Sequence, residues 1–187
     1  MKRGLLIILS GPSGVGKGTI RARLFADPKL NLVYSVSMTT RPIRPGEKEG
    51  IDYYFVSKNR FLDAIENGEL LEHAVFVGNY YGTPKKYVDD LRDKGLNVVL
   101  EIETEGAKQV IDKCPDAISI FIIPPSFDEL VRRIRSRRTE AEEIIQKRLN
   151  KASYEMQLLD IYSHVVVNDN VDKAAEKIKE ILRGYLK

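Results

Sequence analysis

The chain has 187 residues, room for one domain or one core carrying small inserts, and 43% are hydrophobic, enough for a sizeable interior. Charged residues make up 30%, yet the net charge is only +3, which excludes a general polyanion-binding surface and, with this apolar content, a disordered chain. One cysteine, Cys114, excludes an intrachain disulfide and fits a reducing compartment, where it reads as a small, half-buried apolar side chain.

Met1–Leu9 has a basic start and a short apolar run that ends at once in Ser10-Gly11-Pro12-Ser13-Gly14. A secretory signal needs a longer apolar stretch, and a membrane span needs about 20 apolar residues. The expectation is a soluble, cytoplasmic chain. Leu5–Leu9 instead reads as a buried strand, followed by a helix from Gly16 toward Phe25 and a shorter strand-like run near Leu32–Val36. Further along, Asn97–Ile102, Ile118–Ile123 and Val165–Val167 are near-continuous apolar runs, the pattern of a parallel sheet covered on both faces.

Helices are expected between them. One spans Pro84–Lys94 and stops at Gly95. Another opens at Ser126, with Glu129 completing a capping box, and another at Thr139, with Glu142 in the same relation, running toward Leu159. The last covers Val171–Leu186. Strands alternating with helices predict a parallel α/β fold. Residues 35–83 break the rhythm with Pro42, Pro45, Gly46, Gly50, Gly78 and Gly82 among several aromatics. They predict an insert with its own small sheet and one helix near Lys58–Asn67, ended by Gly68.

Chemistry enters at Gly11-Pro12-Ser13-Gly14-Val15-Gly16-Lys17, which follows a strand and opens a helix. That is the setting of a phosphate-binding loop. Backbone N–H groups converge there on phosphate oxygens, the helix N-terminus adds a favourable dipole, and Lys17 supplies a point charge. The position after Lys17, usually Ser or Thr, is Gly18, and Thr19 follows. Gly-Lys-Gly-Thr resembles the loop of nucleoside-monophosphate kinases, in which Thr19 keeps a hydroxyl available for magnesium.

The second signal is Ser35–Glu47, containing Arg41 and Arg44 beside prolines, then Gly50–Phe55, containing Tyr53. Two guanidinium forks suit a phosphate dianion. Together with Leu71-Glu72-His73-Ala74 and Gly78-Asn79-Tyr80-Tyr81-Gly82-Thr83, this stretch closely resembles the guanylate kinase family, and the resemblance continues almost end to end. It implies that Arg41, Arg44, Tyr53 and Tyr81 bind the GMP phosphate and that Glu72, Ser37 and Thr83 read guanine. One carboxylate accepts both guanine N1–H and N2–H, a donor pair adenine lacks. His73 and His164, the only histidines, read as structural.

Leu100-Glu101-Ile102-Glu103-Thr104-Glu105-Gly106 lies at the carboxyl end of a buried strand, where open α/β sheets place ligands. It resembles the family's acidic strand end with Glu in place of the usual Asp. The resemblance assigns Glu101 to magnesium, through water, and Glu103 to guanine; Glu105 reads as a helix-start carboxylate. Arg133, Arg137 and Arg148 match the family's lid arginines, whereas Arg132 and Arg135 read as solvated. Asn168 matches the adenine-side loop.

The resemblance therefore implies a P-loop nucleoside-monophosphate kinase fold with a parallel five-stranded sheet flanked by helices. Residues 1–34, 84–125 and 149–187 would form the core, 35–83 a mixed α/β GMP-binding insert and 126–148 a mobile lid. It implies an ATP:GMP phosphotransferase using ATP with Mg2+. The expected catalytic residues are Lys17, Arg41, Arg137 and Arg148. Residues 11–19 (Gly11, Pro12, Ser13, Gly14, Val15, Gly16, Lys17, Gly18, Thr19) with Arg133 and Asn168 are expected to bind ATP. GMP and dGMP are the expected acceptors, with no nucleic-acid, membrane or obligatory protein partner. A non-catalytic interaction module of the same fold would be expected to have a degraded phosphate loop, and Gly11–Thr19 is intact.

Overall fold

The computed structural model describes residues 2–76, 78–136 and 141–186. In chain order its first elements are β1 (Leu6–Ser10), α1 (Lys17–Phe25), β2 (Leu32–Tyr34), β3 (Ser37–Thr39), β4 (Tyr53–Phe55), α2 (Lys58–Glu66), β5 (Leu70–Phe76) and β6 (Asn79–Pro84). Then follow α3 (Lys85–Asp93), β7 (Asn97–Glu101), α4 (Thr104–Lys113), β8 (Ile118–Ile123), α5 (Phe127–Ser136), α6 (Glu142–Glu155), β9 (His164–Val167) and α7 (Val171–Leu186). Five strands make the expected parallel sheet, in the order β2-β7-β1-β8-β9. β1, all of it buried, explains the unbroken apolar run at its positions.

One compact unit comprises Ile7–Leu32, Glu101–Thr104 and Ile118–Lys187. Within it β1 pairs with β8 in the register Leu9↔Ile120, and β8 pairs with β9 in the register Phe121↔Val165. α1 packs on α7. Leu130 and Ile134 of α5 interlock with Ile145, Leu149 and Ala152 of α6. Burial of each large aliphatic side chain contributes about 1.5–3 kcal/mol.

The other unit comprises Met1–Leu6, Val33–Leu100 and Glu105–Ala117. Here lies the small sheet expected of residues 35–83, in the order β4-β3-β6-β5. α2 covers it through Phe61 and Ala64, which pack with Met38 and Leu70. Ser57 caps α2 by accepting from Arg60 N, and Gly68 ends it with φ 65°.

Three expectations change. α4 was not among the expected helices, although Glu105 lies in its first turn as a helix-start carboxylate should. α6 ends at Glu155 rather than Leu159, where a 3-10 turn (Leu159–Ile161) follows. Ser126 caps α5 by accepting from Glu129 N at 3.1 Å, but the Glu129 carboxylate turns to Arg132 and Arg133. The expected Thr139 cap lies outside the described residues.

Candidate functional site

The phosphate loop joins β1 to α1. Gly11 lies so near β8 that a Cβ would sit 2.5 Å from Ile122 O, and Gly16 takes φ 99° at the helix start, where a side chain would meet Asn168 Nδ2. Asn168 closes this loop from β9's end: its Nδ2 donates to Val15 O at 2.7 Å and its N–H to Ile123 O at 2.8 Å. Asn168 Oδ1 is buried without a hydrogen-bond partner among the described residues, leaving an acceptor beside the loop. Arg133 reaches the same point, donating from Nη2 to Asn168 O at 3.2 Å while Nε holds Glu129 at 2.7 Å.

Lys17 Nζ folds back onto the loop, donating to Gly11 O at 2.5 Å and Pro12 O at 3.2 Å. Burial holds its pKa below the usual lysine value, against the pull of Glu101, Glu155 and Glu103. A cavity of about 250 Å³ opens over it, walled by Gly11 and Ser13, by Glu101, Ile102 and Glu103 at the end of β7, and by Arg148, Lys151 and Glu155 of α6. Glu155 is 6% exposed, and burial raises its proton affinity. Glu101 accepts from Arg21 Nη1 at 2.8 Å and Glu103 from Lys151 Nζ at 2.7 Å. Thr19 lies exposed in the first turn of α1.

In the other unit, β3 and β6 carry a second cluster. Thr83 Oγ1 donates to Glu72 Oε1 at 2.6 Å, with both residues buried. Gly106 of α4 packs against the other oxygen: a Cβ there would stand 2.7 Å from Glu72 Oε2. Arg41 is buried, with its Cζ 5.4 Å from the Tyr53 ring centre and 5.7 Å from that of Phe55. Its fork grips Glu47, Nη2 to Oε1 at 2.7 Å and Nη1 to Oε2 at 3.0 Å. The Arg41 N–H donates to Thr39 Oγ1 at 3.2 Å, so β3 aims the side chain. Tyr53 and Tyr81 meet edge to face at 6.0 Å, and burial raises the Tyr53 phenol's pKa. Ser37 pairs in register with Tyr53. Arg44 lies exposed on the turn that Glu47 closes by accepting from its N–H.

A phosphate cradle with an intact lysine, and a separate arginine–tyrosine–carboxylate cluster, are the features to compare. The sequence model of the family described as "Guanylate kinase" matches residues 3–185. The chain belongs to the guanylate kinase family. It is 51% identical over 181 residues to a guanylate kinase of Streptococcus pyogenes serotype M3, covering 97% of this chain and 86% of that one. The same values hold against the serotype M18 guanylate kinase. A crystal structure of guanylate kinase from Anaplasma phagocytophilum superposes with a TM-score of 0.75 at 39% identity, covering 99% of this chain and 87% of that one.

Of the residues that the guanylate kinase resemblance singled out, the phosphate cavity gathers Gly11, Ser13, Lys17, Glu101, Glu103 and Arg148. Glu72 joins Thr83, and Arg41 joins Tyr53. Arg137 lies outside the described residues. Arg132 and Arg135 are exposed, paired with Glu129 and Glu142. His164 meets the Tyr185 hydroxyl at 3.0 Å, outside the cavity lining. Sequence reasoning missed Glu47, Thr39, Gly106, Arg21, Lys151 and Glu155. For the last two a signal existed: three and seven residues after Arg148, they share its helix face.

Proposed function

We infer that this chain is an ATP:GMP phosphotransferase, moving the γ-phosphoryl group of ATP to GMP to yield ADP and GDP. The observation that carries the reading is the buried Glu72–Thr83 pair in a chain of the guanylate kinase family, 51% identical to curated members. The Glu72 carboxylate, on which Thr83 Oγ1 already donates, is the acceptor for the N1–H and N2–H edge of guanine. An adenine in the same place would leave it unpaired, at a cost of about 1–3 kcal/mol per group.

Lys17 and the amides of residues 11–19 hold the triphosphate, and Arg133 and Asn168 lie on its adenine side. Arg41, Arg44, Tyr53 and Tyr81 hold the GMP phosphate, while Ser37, Glu72, Thr83 and Glu103 read the base. Arg137 and Arg148 close over the transferring group, whose negative charge positioned cations stabilise. Residues 126–148 act as the lid, 35–83 as the GMP-binding insert, and 1–34, 84–125 and 149–187 as the core. Closure keeps water from the γ-phosphate until both nucleotides are bound.

Magnesium fits the donor set. Among the described residues no cluster of three acidic, histidine or cysteine side chains forms a metal cage. Mg2+ favours few protein ligands, several waters and phosphate oxygens, so the Thr19 hydroxyl and, through water, Glu101 suffice. When bound it neutralises charge on the β- and γ-phosphates. Among the described residues no helix is long and apolar enough to cross a membrane. The near-neutral net charge fits free nucleotides as the substrates, and the reading places the chain in the cytoplasm without nucleic-acid, membrane or obligatory protein partners. dGMP is accepted as well, because the base and phosphate contacts ignore the ribose 2′-hydroxyl.

The deciding experiment is coupled detection of ADP formed from ATP with GMP, dGMP, AMP or UMP. GMP and dGMP are expected to turn over and AMP and UMP to lag by orders of magnitude. Equal rates with AMP and GMP overturn the specificity, and ADP formed without an acceptor makes the chain an ATPase.

A further inference from the structure

The acidic segment after β7 is held from three directions. Buried Ser10 of β1 donates its hydroxyl to Ile102 O at 2.8 Å. On either side of Ile102, Arg21 of α1 takes Glu101 at 2.8 Å and Lys151 of α6 takes Glu103 at 2.7 Å. Arg21 follows Lys17 by one helical turn, so the helix that opens at the phosphate loop also directs Glu101. Lys151 lies between Arg148 and Glu155 on the face of α6 that lines the phosphate cavity.

Neither pair is built for stability. The side-chain exposures are 40% and 20% for Arg21 and Glu101, and 48% and 50% for Lys151 and Glu103, and ion pairs this open contribute little to folding. They do limit direction. A glutamate with three rotatable bonds, released in this cavity, finds the Lys17 ammonium as a partner. Both glutamates line the cavity around Lys17 and already strengthen its hold on its proton. A carboxylate seated on Lys17 competes with the triphosphate for the same charge.

We propose that Arg21 and Lys151 are positioning residues that hold the Glu101 and Glu103 carboxylates off Lys17, keeping its ammonium available to the ATP phosphates. The inference rests on the phosphoryl-transfer reading of this cavity. It assigns a task to two cations that the phosphoryl-transfer reading leaves without one.

Titration calorimetry of ATP, with Mg2+ and with chelator, tests it on the full chain. Arg21→Met and Lys151→Met should each weaken ATP roughly tenfold in both conditions, with the melting temperature nearly unchanged. With chelator, where the magnesium role of Glu101 does not enter, Arg21→Met/Glu101→Gln should recover to within about threefold, and Lys151→Met/Glu103→Gln should do so in both conditions, because the freed carboxylate is gone. In a Lys17→Met background neither cation substitution should have a further effect. Unchanged affinity in the single variants overturns the proposal, as do double variants as weak as the singles. For Lys151, a double variant without recovery means direct contact with phosphate. Wild-type chain that binds ATP but phosphorylates no acceptor ends the kinase reading alone, and the binding comparison still decides the role of the two cations.

Discussion

Gly106 leaves the space that the Glu72 carboxylate occupies: a Cβ at position 106 would lie 2.7 Å from Oε2 and 3.3 Å from Cδ. In a helix, alanine is favoured over glycine by about 0.8–1 kcal/mol, so Gly106→Ala would ordinarily stabilise α4. Here the atom in the way is the far end of a flexible side chain. The backbone stays while the carboxylate moves, breaking the 2.6 Å bond from Thr83. Gly106→Ala should raise KM for GMP roughly tenfold, the loss of one charge-assisted hydrogen bond, with the melting temperature changed little because the helix gain offsets part of that loss. Steady-state kinetics and a thermal melt check it. A lower melting temperature with unchanged KM would contradict the argument.

Asn168 stitches the loop after β9 to the phosphate loop through Val15 O. Asn168→Asp keeps the shape and turns the donor into an acceptor, so a carboxylate oxygen faces the Val15 carbonyl. Burying such a mismatch costs about 1–3 kcal/mol. ATP affinity should fall about tenfold and KM for GMP should move less than twofold. Calorimetry with ATP decides, and unchanged affinity would sink the role given to Asn168.

The parallel strands were legible because a strand buried on both faces is nearly all apolar, as β1 and β8 are apart from Ser10 and Ser119. α4 was legible only at its start, through Glu105; Gly106 within its first turn leaves room for a residue 34 positions earlier, a purpose no local pattern reveals. The end of α6 was hidden for the opposite cause, since no glycine or proline lies between Glu142 and Tyr162 to mark it. In the candidate site, Lys17 and Glu72 stood out because their local motifs name them. Glu47, Arg21 and Lys151 act only through their partners, and ion pairs between separate elements leave no periodic trace.

Glu129 offers a pH-dependent check. Hydrogen bonds from Arg132 and Arg133 hold its carboxyl at about 2, below the usual 4.5. A depressed carboxylate stabilises the fold fully above 4.5, and that contribution is lost as the pH falls from 4.5 toward 2. Between pH 6 and 3 the wild-type melting temperature should therefore drop more steeply than that of Glu129→Gln, which carries no such titration. Parallel curves would show that the pair contributes nothing.

Arg41 is expected to bind the acceptor phosphate, yet its fork is occupied by Glu47, which also closes the turn 44–47 through Arg44 N. Two outcomes are physically distinct. If Glu47 only blocks the guanidinium, removing it strengthens phosphate binding. If it holds Arg41 in line and keeps the turn carrying Arg44 closed, removing it scatters both cations. The geometry favours the second: Arg41 is also fixed by its own N–H on Thr39 and by Nη1 on Pro42 O, so Glu47 completes an aimed group and Nε faces no competitor from it. Glu47→Ala should raise KM for GMP roughly tenfold and leave ATP affinity within twofold, as expected for one lost bidentate contact. Arg41→Ala should go further, leaving a folded chain with turnover reduced at least a hundredfold, because the exposed Arg44 does not replace a buried fork. A lowered KM for GMP in Glu47→Ala would make Glu47 a competitor of the phosphate, and near-wild-type turnover in Arg41→Ala would remove Arg41 from the site.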